Sequence, residues 1–206
     1  MRALFDETTL TVYQAYAPRI ADPALAAGTF VAPFALDRMT WIKPSILRMM
    51  YRSGWGMKPD QERVLAVRVS RAGFEQALAD ACLSHHDPDV YADHDAWLRR
   101  KAGSPVRVQW DPERDLHLRP LPWRAVQIGL SGPATRAYVS EWITGIDDVT
   151  ATAHEVAQLV ASRDMAGATA RLPVERPYPL PPAVARTVGA TPTAAAEAAP
   201  PAPAGT

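Results

Sequence analysis

The spacing of apolar side chains divides the chain into strands and helices of unequal length. Residues 9–16 combine β-branched and aromatic positions and stop just before Pro18, which predicts a strand. Ile20, Ala24, Leu25 and Ala27 mark a short helix ending at Gly28, and Pro23 limits it to little beyond one or two turns. Met39, Trp41 and Lys43 alternate, so the indole and the ammonium project from one strand face. A helix then opens at Pro44 and closes at Gly54. Residues 63–69 form a nearly continuous apolar run, expected in the middle of a sheet. Ser70 caps a following helix that carries Phe74, Ala77, Leu78, Ala81 and Cys82. Residues 89–101 read as a polar helix or loop anchored by Tyr91 and Trp97. Strands are expected over 106–110 and 125–130, then a helix opened by Ser131 and Pro133 that bears Tyr138, Val139, Trp142, Ile143 and Ile146. A last helix covers about 150–162. About five or six strands interleaved unevenly with helices predict a single α+β domain on a mixed or antiparallel sheet rather than a doubly wound one.

That domain spans residues 1–182. Its last stretch, 171–182, is proline-rich but carries Leu172, Val174, Tyr178 and Leu180, and it reads as an extended wrap over the domain surface. An SH3-type ligand and a partner-docking role are the alternatives for this stretch. Residues 183–206 collapse mainly to Ala, Pro, Thr and Gly, with one Arg and one Glu at 186 and 197 and no aromatic residue, a composition expected to be disordered.

Charge changes the picture by what it excludes. Lys plus Arg and Asp plus Glu are 22 each, so no global field draws the chain to nucleic acid or an acidic membrane. An anionic partner has to be met by a local patch. The single cysteine, Cys82, sits in an apolar pattern and reads as a buried small hydrophobe. No secretory signal or membrane span is read, and cytoplasmic residence is the expectation.

The densest candidate chemistry lies in residues 38–55. A helix starting at Pro44 leaves the N–H groups of Ser45, Ile46 and Leu47 without partners, beside the Ser45 hydroxyl and the Lys43 charge, which is how proteins hold phosphate. Trp41, Tyr16 and Trp55 supply flat faces for a base, and Arg52 a second cation. Trp41, Met49, Met50 and Trp55 equally suit a core, with Lys43, Arg48 and Arg52 as its solvated rim. His85, His86, Asp87, His94 and Asp95 are ligand types, but adjacent histidines do not face one ion without an unusual turn, so no metal is expected. His85 follows a buried helix and is a candidate proton carrier aimed inward. Residues 111–115 lack the glycine of a calcium loop and read as a charged turn ending a strand, with Glu113 a candidate catalytic base.

Five strings, Val12-Tyr-Gln-Ala-Tyr16, Arg38-Met-Thr-Trp-Ile-Lys-Pro-Ser45 with Met49-Met-Tyr-Arg-Ser-Gly-Trp55, Ser104-Pro-Val-Arg-Val-Gln-Trp-Asp-Pro-Glu-Arg-Asp115 and Gln127-Ile-Gly-Leu130, resemble a microbial family catalogued as a domain of unknown function. More remotely, the order of strand with Tyr13-Gln14, helix to Gly28, and strand and helix through Lys43-Pro44-Ser45 is similar to the opening of ADP-ribosyltransferase-like domains. That resemblance implies an enzyme holding NAD as substrate between its early strands, with Gln14, Ser45 and Gln127 at the three motif positions. Gln14 stands where the family has Arg or His, and Gln127 where it often has a glutamate, so Glu113 is the expected substitute carboxylate. In this reading Lys43 and Arg52 take the phosphates, Trp41 and Tyr16 stack on rings, and Gln14 and Gln127 orient ribose. The alternative is a non-catalytic module that binds RNA or nucleotide ends through the same patch.

Overall fold

The computed structural model describes residues 1–190. The fold is α+β. Its central three-stranded sheet contains β2 (Thr9–Tyr16), β4 (Arg63–Ser70) and β8 (Ile143–Asp148) in the order β2-β4-β8. A four-stranded sheet has the order β3-β7-β6-β5, from β3 (Thr40–Ile42), β5 (Cys82–Leu83), β6 (Val106–Arg114) and β7 (Pro120–Leu130). Every strand pairing in these two sheets is antiparallel except β5 with β6. An isolated bridge between Tyr13 and Lys43 joins the edges of the two sheets. A third, two-stranded sheet pairs β1 (Arg2–Ala3) with β9 (Arg176–Pro177), returning the C-terminal stretch to the start of the chain.

The apolar run in β4 is explained by two cores. Leu65, Val67 and Val69 face one with Leu10, Val12, Ile128 and Leu130, while Val64 and Ala66 face a second with Tyr13, Met49, Met50 and Val156. A central strand covered on both sides has no reason to alternate. The helices are α1 (Pro18–Ala27), α2 (Ile46–Ser53), α3 (Arg71–Ala79), α4 (His94–Gly103), α5 (Pro133–Ala137), α6 (Thr150–Ala161), α7 (Met165–Arg171) and α8 (Pro182–Thr187). Ser70 caps α3 by accepting from the Gly73 N–H, and Gly54 closes α2 at φ 59°, as their residue types predict.

Several expectations are corrected. The α2 helix begins at Ile46, with Ser45 as its cap, rather than at Pro44. Pro23 lies inside the ten-residue α1, which continues beside exposed Arg19, whose carbonyl loses its N–H donor. Residues 111–114 are strand, not turn: β5 covers only Arg107 and Val108, so β6 beyond them is an edge that tolerates Pro112, with a bulge between Pro112 and Arg114. Ile143 and Ile146 belong to β8. The helix before them is short, passing from α5 into a π-helical turn over Tyr138–Trp142. Within the stretch expected to be disordered from residue 183, α8 forms, and Val184 and Val188 are buried in the first core. The remainder of that expectation, 191–206, lies outside the described residues. Among the described residues, no helix is long and apolar enough to cross a membrane, and no group of three or more His, Cys, Asp and Glu converges as a metal site.

The C-terminal stretch does more than wrap. Tyr178 is buried between Phe5 and Phe74, and Trp110 Nε1 donates to the Val188 carbonyl at 2.6 Å. Just ahead of β9, Glu175 Oε1 accepts from the Ile46 N–H at 2.7 Å, capping the first turn of α2. Burial pushes the Glu175 carboxyl up to about 8; the Ile46 bond opposes this and the neighbouring Glu113 carboxylate adds to it. A carboxyl raised from an unfolded value of 4.5 takes up a proton on folding, so stability falls as pH climbs from that value and levels off past about 8. Urea unfolding across this range is expected to show the fall. Glu175→Gln, which still accepts the Ile46 N–H, should remove about 2 kcal/mol of it, with screening allowed for.

Candidate functional site

A cavity of about 820 Å³ opens where the end of β2, the start of α1, β3, α2 and the β6–β7 ribbon meet. The 33–39 loop supplies one wall. Alternation along β3 works as the sequence predicts: Met39, Trp41 and Lys43 all line the cavity. Trp41 lies opposite Gly129 in the β3–β7 register, and a Cβ at Gly129 would stand 3.0 Å from the indole. The glycine is what lets the ring pack close to β7 with part of it left open to the cavity.

The lining is strongly cationic. Arg19, Arg38, Lys43 and Arg52 face a single carboxylate, Asp60, and Asp60 is already paired with Arg19 at 2.8 Å. Arg38, Lys43 and Arg52 form no ion pair among the described residues, and the Lys43 ammonium has no hydrogen-bond acceptor there. Lys43 is only 4% exposed. Burial, with Arg52 and Arg48 nearby, pushes it down to about 8, and Asp111 partly opposes them.

Gln14 is fully engaged. Its Nε2 donates to the Tyr16 hydroxyl at 2.7 Å and to Thr40 Oγ1 at 2.8 Å, and its Oε1 accepts from the Tyr138 hydroxyl at 2.7 Å. It lines the cavity itself and braces Tyr16 and Thr40, both cavity residues. Tyr16 also packs edge-on to Phe30 and Phe34, and burial raises its hydroxyl to about 12. Gln127 lines the cavity, and its Nε2 donates to Asp111 Oδ2.

Ser45 and Glu113 lie together but outside the lining. Ser45 Oγ caps the Arg48 N–H at 3.1 Å and donates to Glu113 Oε1 at 2.9 Å. Glu113 is raised by burial against the opposing bonds from Arg114 and Ser45. With Glu175 on the Ile46 N–H, the helix start that the sequence offers to phosphate is occupied by the chain's own carboxyl group. Trp55, at φ 60° just past α2, is buried in the second core, and His85 is exposed on the loop after β5 rather than aimed inward. Neither lines the cavity. Gln109 and Phe34 are lining residues that pattern reading missed. Gln109 had a signal, since it alternates with Arg107 and Asp111 along β6; Phe34 sits in a loop without period and had none.

The buried amide of Gln14 makes a direct test of this architecture. Tyr138→Phe keeps the ring and removes the donor to Gln14 Oε1, so chemical denaturation should show a loss of about 1–3 kcal/mol. An unchanged midpoint would mean that Gln14 finds another partner.

No curated protein and no solved structure matches the chain. A family model does match, over residues 1–178, and by that match the chain belongs to the family described as "Domain of unknown function (DUF4291)".

Proposed function

We propose that the protein binds a nucleotide carrying a pyrophosphate, with NAD as the ligand, and uses it in the manner of ADP-ribosyltransferase-like enzymes. The observation that carries this reading is Lys43, a lysine only 4% exposed that lines the cavity and whose ammonium has no acceptor among the described residues, in a wall where Arg38 and Arg52 also form no ion pair among those residues. An uncompensated buried cation is costly, and a bound pyrophosphate would offset that cost. Trp41 and Phe34 on the same lining offer ring faces to adenine or nicotinamide, worth roughly 1–3 kcal/mol per stacked base. The volume, about 820 Å³, lies in the range of ligand pockets.

In ADP-ribosyl transfer the bond from ribose to the nicotinamide nitrogen breaks, its electron pair leaves with nicotinamide, and an acceptor's lone pair forms the new bond. A carboxylate commonly steadies the developing ribosyl charge. Glu113 lies outside the lining, and Asp60, the lining carboxylate, is paired with Arg19. This favours a second reading, in which the same pocket holds a nucleotide or an RNA end without chemistry.

Titration with NAD, followed by tryptophan fluorescence and by mass spectrometry of released nicotinamide, tests both. Binding is expected, and Lys43→Ala should weaken it about 10- to 100-fold. The protonated ammonium is the form that binds an anion, so wild-type affinity should fall as pH rises through about 8, while Lys43→Arg holds its affinity. Nicotinamide release supports the enzyme. Intact NAD with steeply salt-dependent RNA binding supports the second reading, and no binding of either ligand overturns both.

A further inference from the structure

We infer that Gln109 and Gln127 form a fixed pair of hydrogen-bond acceptors on the cavity floor that receives the two hydroxyls of a ribose, so that the site selects ribonucleotides over deoxynucleotides. This rests on the nucleotide reading above and adds to it the residues that recognise the sugar.

The two glutamines lie directly opposite each other, Gln109 on β6 and Gln127 on β7, and both line the cavity half-buried. Between them sits Asp111, two residues along β6. Gln109 Nε2 donates to Asp111 Oδ1 at 3.1 Å and Gln127 Nε2 to Asp111 Oδ2 at 2.9 Å. Arg48, buried at the start of α2, pairs with Asp111 Oδ2 at 2.9 Å. An ion-paired carboxylate only accepts hydrogen bonds, so each amide has to turn its NH2 toward Asp111. Each carbonyl oxygen is thereby turned away from it, and neither oxygen has a protein donor among the described residues. Neither is sealed off from solvent.

Two adjacent acceptors call for a ligand with two adjacent donors. Lys43, the phosphate-binding cation of the proposed site, lines the same cavity as both glutamines, and Asp111 acts on its charge. Cation and acceptor pair therefore face one cavity, as phosphate and ribose diol belong to one nucleotide. A base amino group, separated from its phosphate by the whole sugar, fits this spacing less well. Asp111 and Arg48 are positioning residues here, and the glutamines make the contacts.

The test uses the full chain and isothermal titration calorimetry with inorganic pyrophosphate, ADP, 2′-deoxy-ADP and 2′,3′-dideoxy-ADP. Wild type should lose about tenfold in affinity for each hydroxyl removed. Gln109→Met and Gln127→Met should bring ADP toward the dideoxy level while leaving pyrophosphate affinity unchanged. Asp111→Asn, which lets the amides turn over, should shrink the ratio of ADP to dideoxy-ADP affinity, whatever the lost charge does to pyrophosphate affinity through Lys43. If that variant does not fold, the wild-type ligand series and the glutamine variants still decide. Equal affinity of wild type for ADP and dideoxy-ADP, or an undiminished ratio in both glutamine variants, overturns the inference. Pyrophosphate binding without hydroxyl preference overturns it alone. Failure of pyrophosphate and ADP to bind at all overturns the nucleotide reading with it.

Discussion

Two backbone hydrogen bonds, Tyr13 N–H to the Lys43 carbonyl at 2.7 Å and Lys43 N–H to the Tyr13 carbonyl at 3.3 Å, hold the two main sheets edge to edge. Without them β3 would be a three-residue edge strand whose backbone pairs only with β7. With them its end is pinned between β2 and β7, and the wall carrying Trp41 and Lys43 stands beside the wall carrying Tyr16. The bridge also explains how a lysine comes to be buried. Its backbone is fixed by pairing, so the ammonium stays in the wall although desolvation disfavours its charge.

The same economy of fixed groups runs through α2. The acceptor expected at its first turn is supplied internally by the Glu175 carboxyl, and the Ser45 cap is tied to Glu113. The positive charge of the cavity therefore comes from side chains rather than from the helix dipole. Arg48, near the start of the helix, reaches Asp111, which fixes the direction of two amides on the four-stranded sheet. Met49 and Arg52 of the same helix reach the cavity directly. One short helix thus serves the lining on one side and its buried support on another.

What could be read from residues alone was what is locally encoded. The strand over 9–16, the buried strand over 63–70 and the caps at Ser70 and Gly54 depend on neighbours a few positions away, and they stand where their patterns place them. Trp41 and Lys43 share the cavity because alternation in a strand is rigid. The failures share a different cause. Val139, Trp142, Ile143 and Ile146 keep a helical spacing, but the chain leaves the helix through a π turn so that Ile143 and Ile146 can pair with β4. Val184 and Val188 are an i, i+4 pair inside an Ala- and Pro-rich composition, and tertiary burial overrides that composition. Trp55 has the residue type of a ligand platform, yet its left-handed backbone turns it into the core. Glu175 carries no local mark of its partner.

That last contact has a consequence for the order in which the molecule can be completed. Glu175 and the Ile46 N–H it satisfies are separated by 129 residues. While the chain is being synthesised from its N-terminus, α2 and the strands around it emerge long before the carboxylate that closes the helix start. The ribbon of β6 and β7 emerges in between, so Asp111 and the two glutamines are synthesised before the group that caps α2. A nascent chain halted before β9 would already contain every residue that lines the cavity, while the first turn of α2 is still open to water or to a passing anion.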